Sequence, residues 1–277
     1  MPAADPADDQ LFDITVTNTA TRRSLARLSY GPYAWLALLV CGIPALLFVT
    51  ITPGRRMRRR LTRWFARLFF RVIGSPVRVM ESANMPIGAC IVVANHASYL
   101  DGIILTAALP PNFTFVIKRE MAGFPFAGFF LRRIGSEFVD RASDAHKKRT
   151  ARRLFKAARS GDALAFFPEG TFRAEPGLRP FKPGAFRAAW QSRVPLVPIV
   201  IYGAREKLPA EVWLPAPGPL RISIGEPIDP TVHDSARAML RATRESILAR
   251  LGEPDLDGST LDERNLRDDF ARPGSGP

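Results

Sequence analysis

Of the three histidines in the chain, one stands where chemistry can happen. His96 closes an apolar run, in ACIVVANHASYLD, with Asp101 five residues further on. A histidine that takes a proton from a substrate needs a carboxylate to fix its tautomer and raise its basicity. In one continuous helix, at about 3.6 residues per turn, a five-residue step leaves two side chains roughly 140° apart. The spacing therefore predicts that His96 lies just before a helix and that the chain turns to bring Asp101 alongside. A general base and a histidine merely satisfied at a strand end both fit this pair. His146, in a Lys/Arg-rich stretch, and His233, before the C-terminal helix, have no cluster around them. The chain has no G-x-S-x-G turn and Cys90 falls inside a strand, so it offers no protein nucleophile.

A second acid sits at another strand end. Glu169, in Phe166-Phe167-Pro168-Glu169-Gly170-Thr171, follows an apolar run and opens a turn of small residues. Gly135-Ser136-Glu137-Phe138-Val139-Asp140-Arg141 ends a short strand in an acid–base pair, and Val194-Pro195-Leu196-Val197-Pro198-Ile199 opens an apolar strand with two prolines. Each block alone is unremarkable; their order along the chain is what informs.

The elements that must position these residues are legible as alternating short β-rich runs and helical stretches. Strands are predicted at Val77–Met80, Cys90–Ala94, Phe113–Ile117, Ala163–Phe167, Leu196–Tyr202 and Leu220–Ile224. Helices are predicted at Tyr99–Ala108, Asp144–Arg159 (capped by Ser143 or Asp144), Ala185–Gln191 and Ser235–Leu251. Strands separated by helices of this length imply an α/β fold with a mainly parallel, two-sided sheet flanked by helices. In such sheets, ligands gather at the carboxyl ends of the strands, where His96 and Glu169 both fall.

Ahead of this domain the chain is different. From Leu28 to Gly54 there is no charged residue, and Tyr33–Ile51 is about the roughly 20 residues a bilayer crossing needs. Pro44 also allows a re-entrant hairpin, and Tyr33 and Trp35 suit an interfacial anchor. From Arg55 to Arg71 there are eight Arg and no acid. Met57, Leu61, Trp64, Phe65, Leu68, Phe69 and Val72 share one helical face there, which reads either as an interfacial helix on anionic headgroups or as a helix packed on the core. The expected organisation is an N-terminal tail at 1–27, a spanning or re-entrant segment at 28–54, a basic amphipathic helix at 55–73, a catalytic domain at 74–252 and a flexible tail at 253–277. The eight arginines outnumber Arg22, Arg23 and Arg27 on the other flank, placing the domain on the cytoplasmic face of a membrane. The net charge of +13 calls for an anionic partner. Anionic membrane lipid fits better than nucleic acid, because no nucleic-acid motif appears and the basic stripe abuts an apolar span. A tethered basic binding protein without chemistry is the competing class. Two cysteines exclude a disulfide framework and a Cys-based zinc site.

Taken together, the ordered blocks resemble the glycerolipid (lysophosphatidate) acyltransferase-like family, over residues 75–225. Asn95, His96 and Asp101 match its N-H-x-x-x-x-D; Gly135, Phe138, Val139, Asp140 and Arg141 match G-x-x-F-[IV]-D-R. Phe167 to Thr171 match F-P-E-G-T, and Val194 to Ile199 match V-P-[IVL]-x-P-[IV]. Lys118-Arg119-Glu120 with Phe124-Pro125 looks like the family's K-x-E-L stretch, with Met121 in place of Leu. The resemblance implies that His96, oriented by Asp101, deprotonates a lysophosphatidate hydroxyl, which attacks the thioester of acyl-CoA or acyl-carrier protein to give phosphatidate in phospholipid biosynthesis. It implies no metal and no cofactor beyond that thioester. Asn95, Arg141, Glu169, Gly170, Thr171 and Arg173 would bind the acceptor, and backbone N–H groups after His96 would hold the oxyanion. One departure bears on the acceptor: Phe172 stands where the family has a phosphate-binding Arg, and Arg173 follows. Arg173 would substitute, or Arg141 with Lys182 or Arg187, or the acceptor is another lysophospholipid or a lyso-ornithine lipid.

Overall fold

Strand alternation builds a sheet with two dry faces. The computed structural model describes residues 6–139, 152–155, 157–158 and 162–257, with 6–25 described by helical backbone alone. Its strands are β1 (Val77–Met80), β2 (Ile91–Ala94), β3 (Phe113–Lys118), β4 (Glu137–Val139), β5 (Ala163–Phe166), β6 (Leu196–Tyr202) and β7 (Leu220–Ile224). They form one sheet in the order β1-β7-β6-β2-β5-β3-β4. Every pairing is parallel except β6 with β7. The expected mainly parallel sheet is present, with one antiparallel step near its β1 edge.

Around it lie α1 (Pro6–Ile51), α2 (Arg55–Val72), α3 (Asp101–Ala108), α4 (Pro125–Arg133), α5 (Gly184–Ser192), the single turn α6 (Ala204–Lys207) and α7 (Ala236–Leu251). Val92 and Ala94 pack with Ala34, Ala37 and Cys41 of α1, Phe69 and Phe70 of α2 and Ile104 of α3. Ile91 and Val93 point the other way, to Phe186 of α5 and Met239 and Ile247 of α7. The period of two along β2 thus feeds both cores. Ser235 caps α7 by accepting from the Ala238 N–H at 3.1 Å.

The N-terminal region departs from the sequence expectation in two ways. The chain is helical from Pro6, through most of the expected tail, and passes Pro44 without turning, so there is no hairpin within 28–54. Ala26–Ile51 is long and apolar enough to cross a membrane. Yet its small residues Ala34, Ala37, Cys41, Ala45 and Val49 are buried, while Leu36, Leu39, Val40, Ile43 and Leu47 on the far side are exposed. After the turn at 52–54, α2 runs back along α1: Arg58 Nε donates to the Thr52 carbonyl at 2.8 Å, Phe48 stacks on Phe65 at 5.9 Å, and Tyr33 Oη donates to the Val72 carbonyl at 2.6 Å.

In α2 itself the arginines do not form a free stripe. Arg59 is buried and spends its guanidinium on the carbonyls of Ile134, Asn112 and Gly135 and on Thr114 Oγ1, at 2.7–3.1 Å. Burial, with Arg55 nearby, lowers its pKa to about 10. Arg63 and Arg67 donate to the last carbonyls of α3, at Ala108 and Ala107. The helix therefore bolts α1 to the domain, and Arg55, Arg56, Arg60 and Arg71 are the exposed remainder. Gly135, whose φ is +78°, passes so close to α2 that a Cβ would stand 2.5 Å from Arg55 Cδ.

At the other end, residues 253–257 belong to the fold rather than to a free tail. Glu253 accepts from the Gly177 N–H at 2.7 Å, and Leu178 bridges to Asp255. Arg244 pairs with Asp255 and, at 3.7 Å, with Asp257. The expected helix Asp144–Arg159 lies mostly outside the described residues, which within it are helical at 152–155 and 157–158.

Candidate active site

The carboxyl ends of β2, β5 and β3 come together at one edge of the sheet, and the motif residues follow those strands directly. The turn after β2 is longer than expected: α3 begins at Asp101, not Tyr99. This leaves His96 in the loop and lets the first helical side chain reach back to it. Asp101 Oδ2 lies 2.8 Å from His96 Nδ1 and also accepts the N–H groups of Ala97 at 2.7 Å and Ser98 at 2.8 Å. Asp101 is fully buried, and its Oδ1 takes no hydrogen bond among the described residues. The pair fixes Nδ1–H toward the carboxylate and leaves Nε2 as the nitrogen able to accept a proton.

Glu169 braces the same loop from β5. Its Oε1 accepts the His96 N–H at 2.7 Å and its Oε2 the Arg179 N–H at 3.0 Å. Only 5% exposed, its carboxyl is pushed up to about 7 by burial, which the two N–H bonds offset only in part. The sequence had marked Glu169 for the acceptor; the structure gives both its oxygens to backbone. The N–H groups of residues 96, 97 and 98 are thereby taken by two carboxylates. Two of the N–H groups after His96 that the sequence offers to an oxyanion, those of Ala97 and Ser98, are thus committed to Asp101.

Asn95 is likewise turned inward. Its Nδ2 donates to the Ile201 carbonyl at 3.1 Å and its Oδ1 accepts the Ile201 N–H at 2.7 Å, at 3% exposure, so it extends the β2–β6 ladder by one side chain. Thr171 reaches the open side: Lys118 Nζ, from the end of β3, donates to Thr171 Oγ1 at 2.5 Å. Gly170 makes the turn between them with a φ of +73°. Arg173 is exposed, and its carbonyl, with those of Ala174 and Glu175, accepts from Arg205, which also pairs with Glu253 at 2.8 Å. Arg141 and Asp140 lie outside the described residues.

Two aromatic rings flank this histidine and a third meets one of them, none of which its spacing to Asp101 gave reason to expect there. Phe167 stacks on His96 at 4.3 Å between centroids, Phe172 meets it at 4.6 Å, and Tyr99 meets Phe172 edge-on at 4.7 Å. Phe172, not Arg173, is therefore the neighbour of the histidine. In the apolar run Phe124–Leu131, Phe124 just before α4 and Phe126 and Phe129 on it are exposed.

Comparison with known proteins points to one family. A family model described as Acyltransferase matches residues 76–202. The chain is 33% identical over 174 residues to the 1-acyl-sn-glycerol-3-phosphate acyltransferase of Saccharomyces cerevisiae, covering 60% of this chain and 57% of the yeast protein. It is 33% identical over 186 residues to the lyso-ornithine lipid O-acyltransferase of Pseudomonas aeruginosa, covering 67% of each. The crystal structure of a 1-acyl-sn-glycerophosphate acyltransferase from Thermotoga maritima shares the fold, with a TM-score of 0.66 at 24% identity over 92% of this chain and 99% of that one.

Proposed function

The chain belongs to the acyltransferase family and is an O-acyltransferase, and on that premise we propose that it moves a fatty acyl chain from acyl-CoA or acyl-carrier protein to the free hydroxyl of lysophosphatidate. The observation that carries the reading is the His96–Asp101 contact of 2.8 Å at the carboxyl edge of a parallel sheet, beside Glu169. His96 Nε2 takes the proton of the acceptor hydroxyl as its oxygen attacks the thioester carbonyl. The tetrahedral adduct collapses, the C–S bond breaks, and the thiolate leaves to be protonated by the imidazolium. Asp101 stabilises that imidazolium without itself taking the proton. Glu169 and Asn95 hold the loop and strand that carry the base, and Lys118 with Thr171 faces the acceptor. The product is phosphatidate, in phospholipid biosynthesis.

A second acceptor is favoured by Phe172. An apolar ring 4.6 Å from the base suits a headgroup without a phosphate monoester, such as that of a lyso-ornithine lipid, and a relative of that name matches two thirds of this chain. α1 and α2 support a membrane position for the chain. The exposed apolar side of α1 lies in the cytoplasmic leaflet along its plane; a crossing would draw the arginines of α2 beside it into hydrocarbon. Thiol release by purified protein in anionic micelles, against a panel of lyso-acceptors, tests the function. Turnover with lysophosphatidate supports the first reading; turnover with lyso-ornithine lipid alone replaces it by the second.

A further inference from the structure

The rings beside His96 continue outward. Trp213 stacks over Tyr99 at 6.4 Å, extending the row from His96 through Phe172 and Tyr99. The outer members are exposed, Tyr99 to 55% and Trp213 to 75%, so the core does not require them there. The row ends on α1. The Trp213 carbonyl accepts from Trp35 Nε1 at 2.7 Å, and the Leu214 carbonyl accepts from Arg27 Nη1 at 2.8 Å. Gly31 passes so close to Leu214 that a Cβ would stand 2.8 Å from its Cδ2. The position of this loop is thus set by the helix whose exposed face carries Leu28, Leu36 and Leu39.

We propose that Trp213, Tyr99 and Phe172 form the lane along which the fatty acyl chain of the lysolipid acceptor lies as it passes from the leaflet to His96; this rests on the acyltransferase reading above. Exposed rings that lead from an apolar helix to a general base offer a hydrocarbon chain continuous contact without desolvating polar groups. The acceptor is the occupant because it resides in the leaflet where α1 lies. The thioester donor, bearing a large polar carrier, arrives from water. Trp213 and Tyr99 act as specificity residues, sensing how much chain the acceptor carries.

The test uses the full chain in mixed micelles with oleoyl and hexanoyl lysophosphatidate. In Trp213→Ala, kcat/KM for the oleoyl acceptor should fall about five- to tenfold relative to the hexanoyl one, through KM, with KM for the thioester unchanged. Trp213→Phe should restore the ratio. Since Trp213 is tied to α1 through its carbonyl, both variants keep the loop. Independently of turnover, oleoyl lysophosphatidate brominated on its chain should quench the fluorescence that Trp213→Phe removes. Quenching by a protein that releases no thiol would refute the acyltransferase reading and keep the lane. Equal loss for both acceptors without quenching, or a rise in KM for long-chain thioester instead, would overturn the lane.

Discussion

At the scale of single residues, two carboxylates divide the work around one histidine, and each has a measurable signature. Asp101→Asn would keep an oxygen on the N–H groups of Ala97 and Ser98 but remove the charge that stabilises the imidazolium, so kcat should drop by about 10²–10⁴ while the melting temperature changes little; steady-state kinetics beside thermal denaturation checks this. Glu169 should show an unusual linkage. Its folded pKa of about 7 stands above the ordinary 4.5, so the folded protein keeps a proton that the unfolded chain gives up. The stability this group contributes is full below pH 4.5 and is lost as pH rises to about 7. In Glu169→Gln that slope should vanish, which urea midpoints measured between pH 4.5 and 7.5 would reveal; parallel slopes in both proteins would contradict it. The residues of the site were legible from the sequence, but their roles less so. Asn95 and Glu169 occupy motif positions that read as acceptor contacts, whereas both face backbone. Nothing in spacing distinguishes a carboxylate that meets a ligand from one that meets two N–H groups. Lys118 was visible as part of a short motif, but its meeting with Thr171 joins residues of different strands that only the sheet order brings together.

At the scale of elements, the strands were nearly all readable because apolar runs bounded by turn residues have few other uses, and the short strand β4 followed from the Gly135–Arg141 block. The orientation of α2 was not. Its helical wheel separates arginines from apolar residues cleanly, yet the buried side takes Arg59 together with Phe65 and Phe69. A guanidinium finding four oxygens at the start of β3 and in the turn before β4 is a tertiary event that amphipathicity does not encode. Arg59→Met should therefore destabilise by about 2–4 kcal/mol, since three carbonyls and a hydroxyl lose a charged donor. The exposed Arg56→Ala should stay within about 0.5 kcal/mol of the parent. Equal effects in chemical denaturation would restore the picture of a purely surface stripe. Lys207 plays a similar bolting part: fully buried, it donates to Tyr30 Oη, Ser75 Oγ and the Ala216 carbonyl at 2.7–3.1 Å, joining α1 to the domain, and burial lowers its pKa to about 8.

For the whole molecule, the apolar segment and the catalytic domain are one body rather than an anchor and its cargo. Removing residues 1–54 would uncover the core around Ala66, Phe69 and Phe70, so the truncation should lose cooperative unfolding rather than survive as a soluble enzyme; calorimetry of the full and truncated chains would decide it. Vesicle binding should have two parts. The exposed face of α1 gives a salt-independent share, and Arg56, Arg60 and Arg71 add about 1 kcal/mol each on anionic lipid. Changing all three to Ala should weaken binding to anionic vesicles by about a hundredfold at low salt and leave neutral vesicles unaffected, as co-sedimentation would show. Length and apolarity marked a helix able to cross a membrane from sequence, but not that its small residues pack against the sheet. The account stands most directly on one measurement, thiol release by the full chain on anionic vesicles with lysophosphatidate and an acyl thioester, comparing the parent with His96→Ala. Loss of about 10²-fold or more in kcat, with vesicle binding and melting temperature preserved, is the predicted result; turnover by His96→Ala close to that of the parent would contradict the assignment of His96 as the general base.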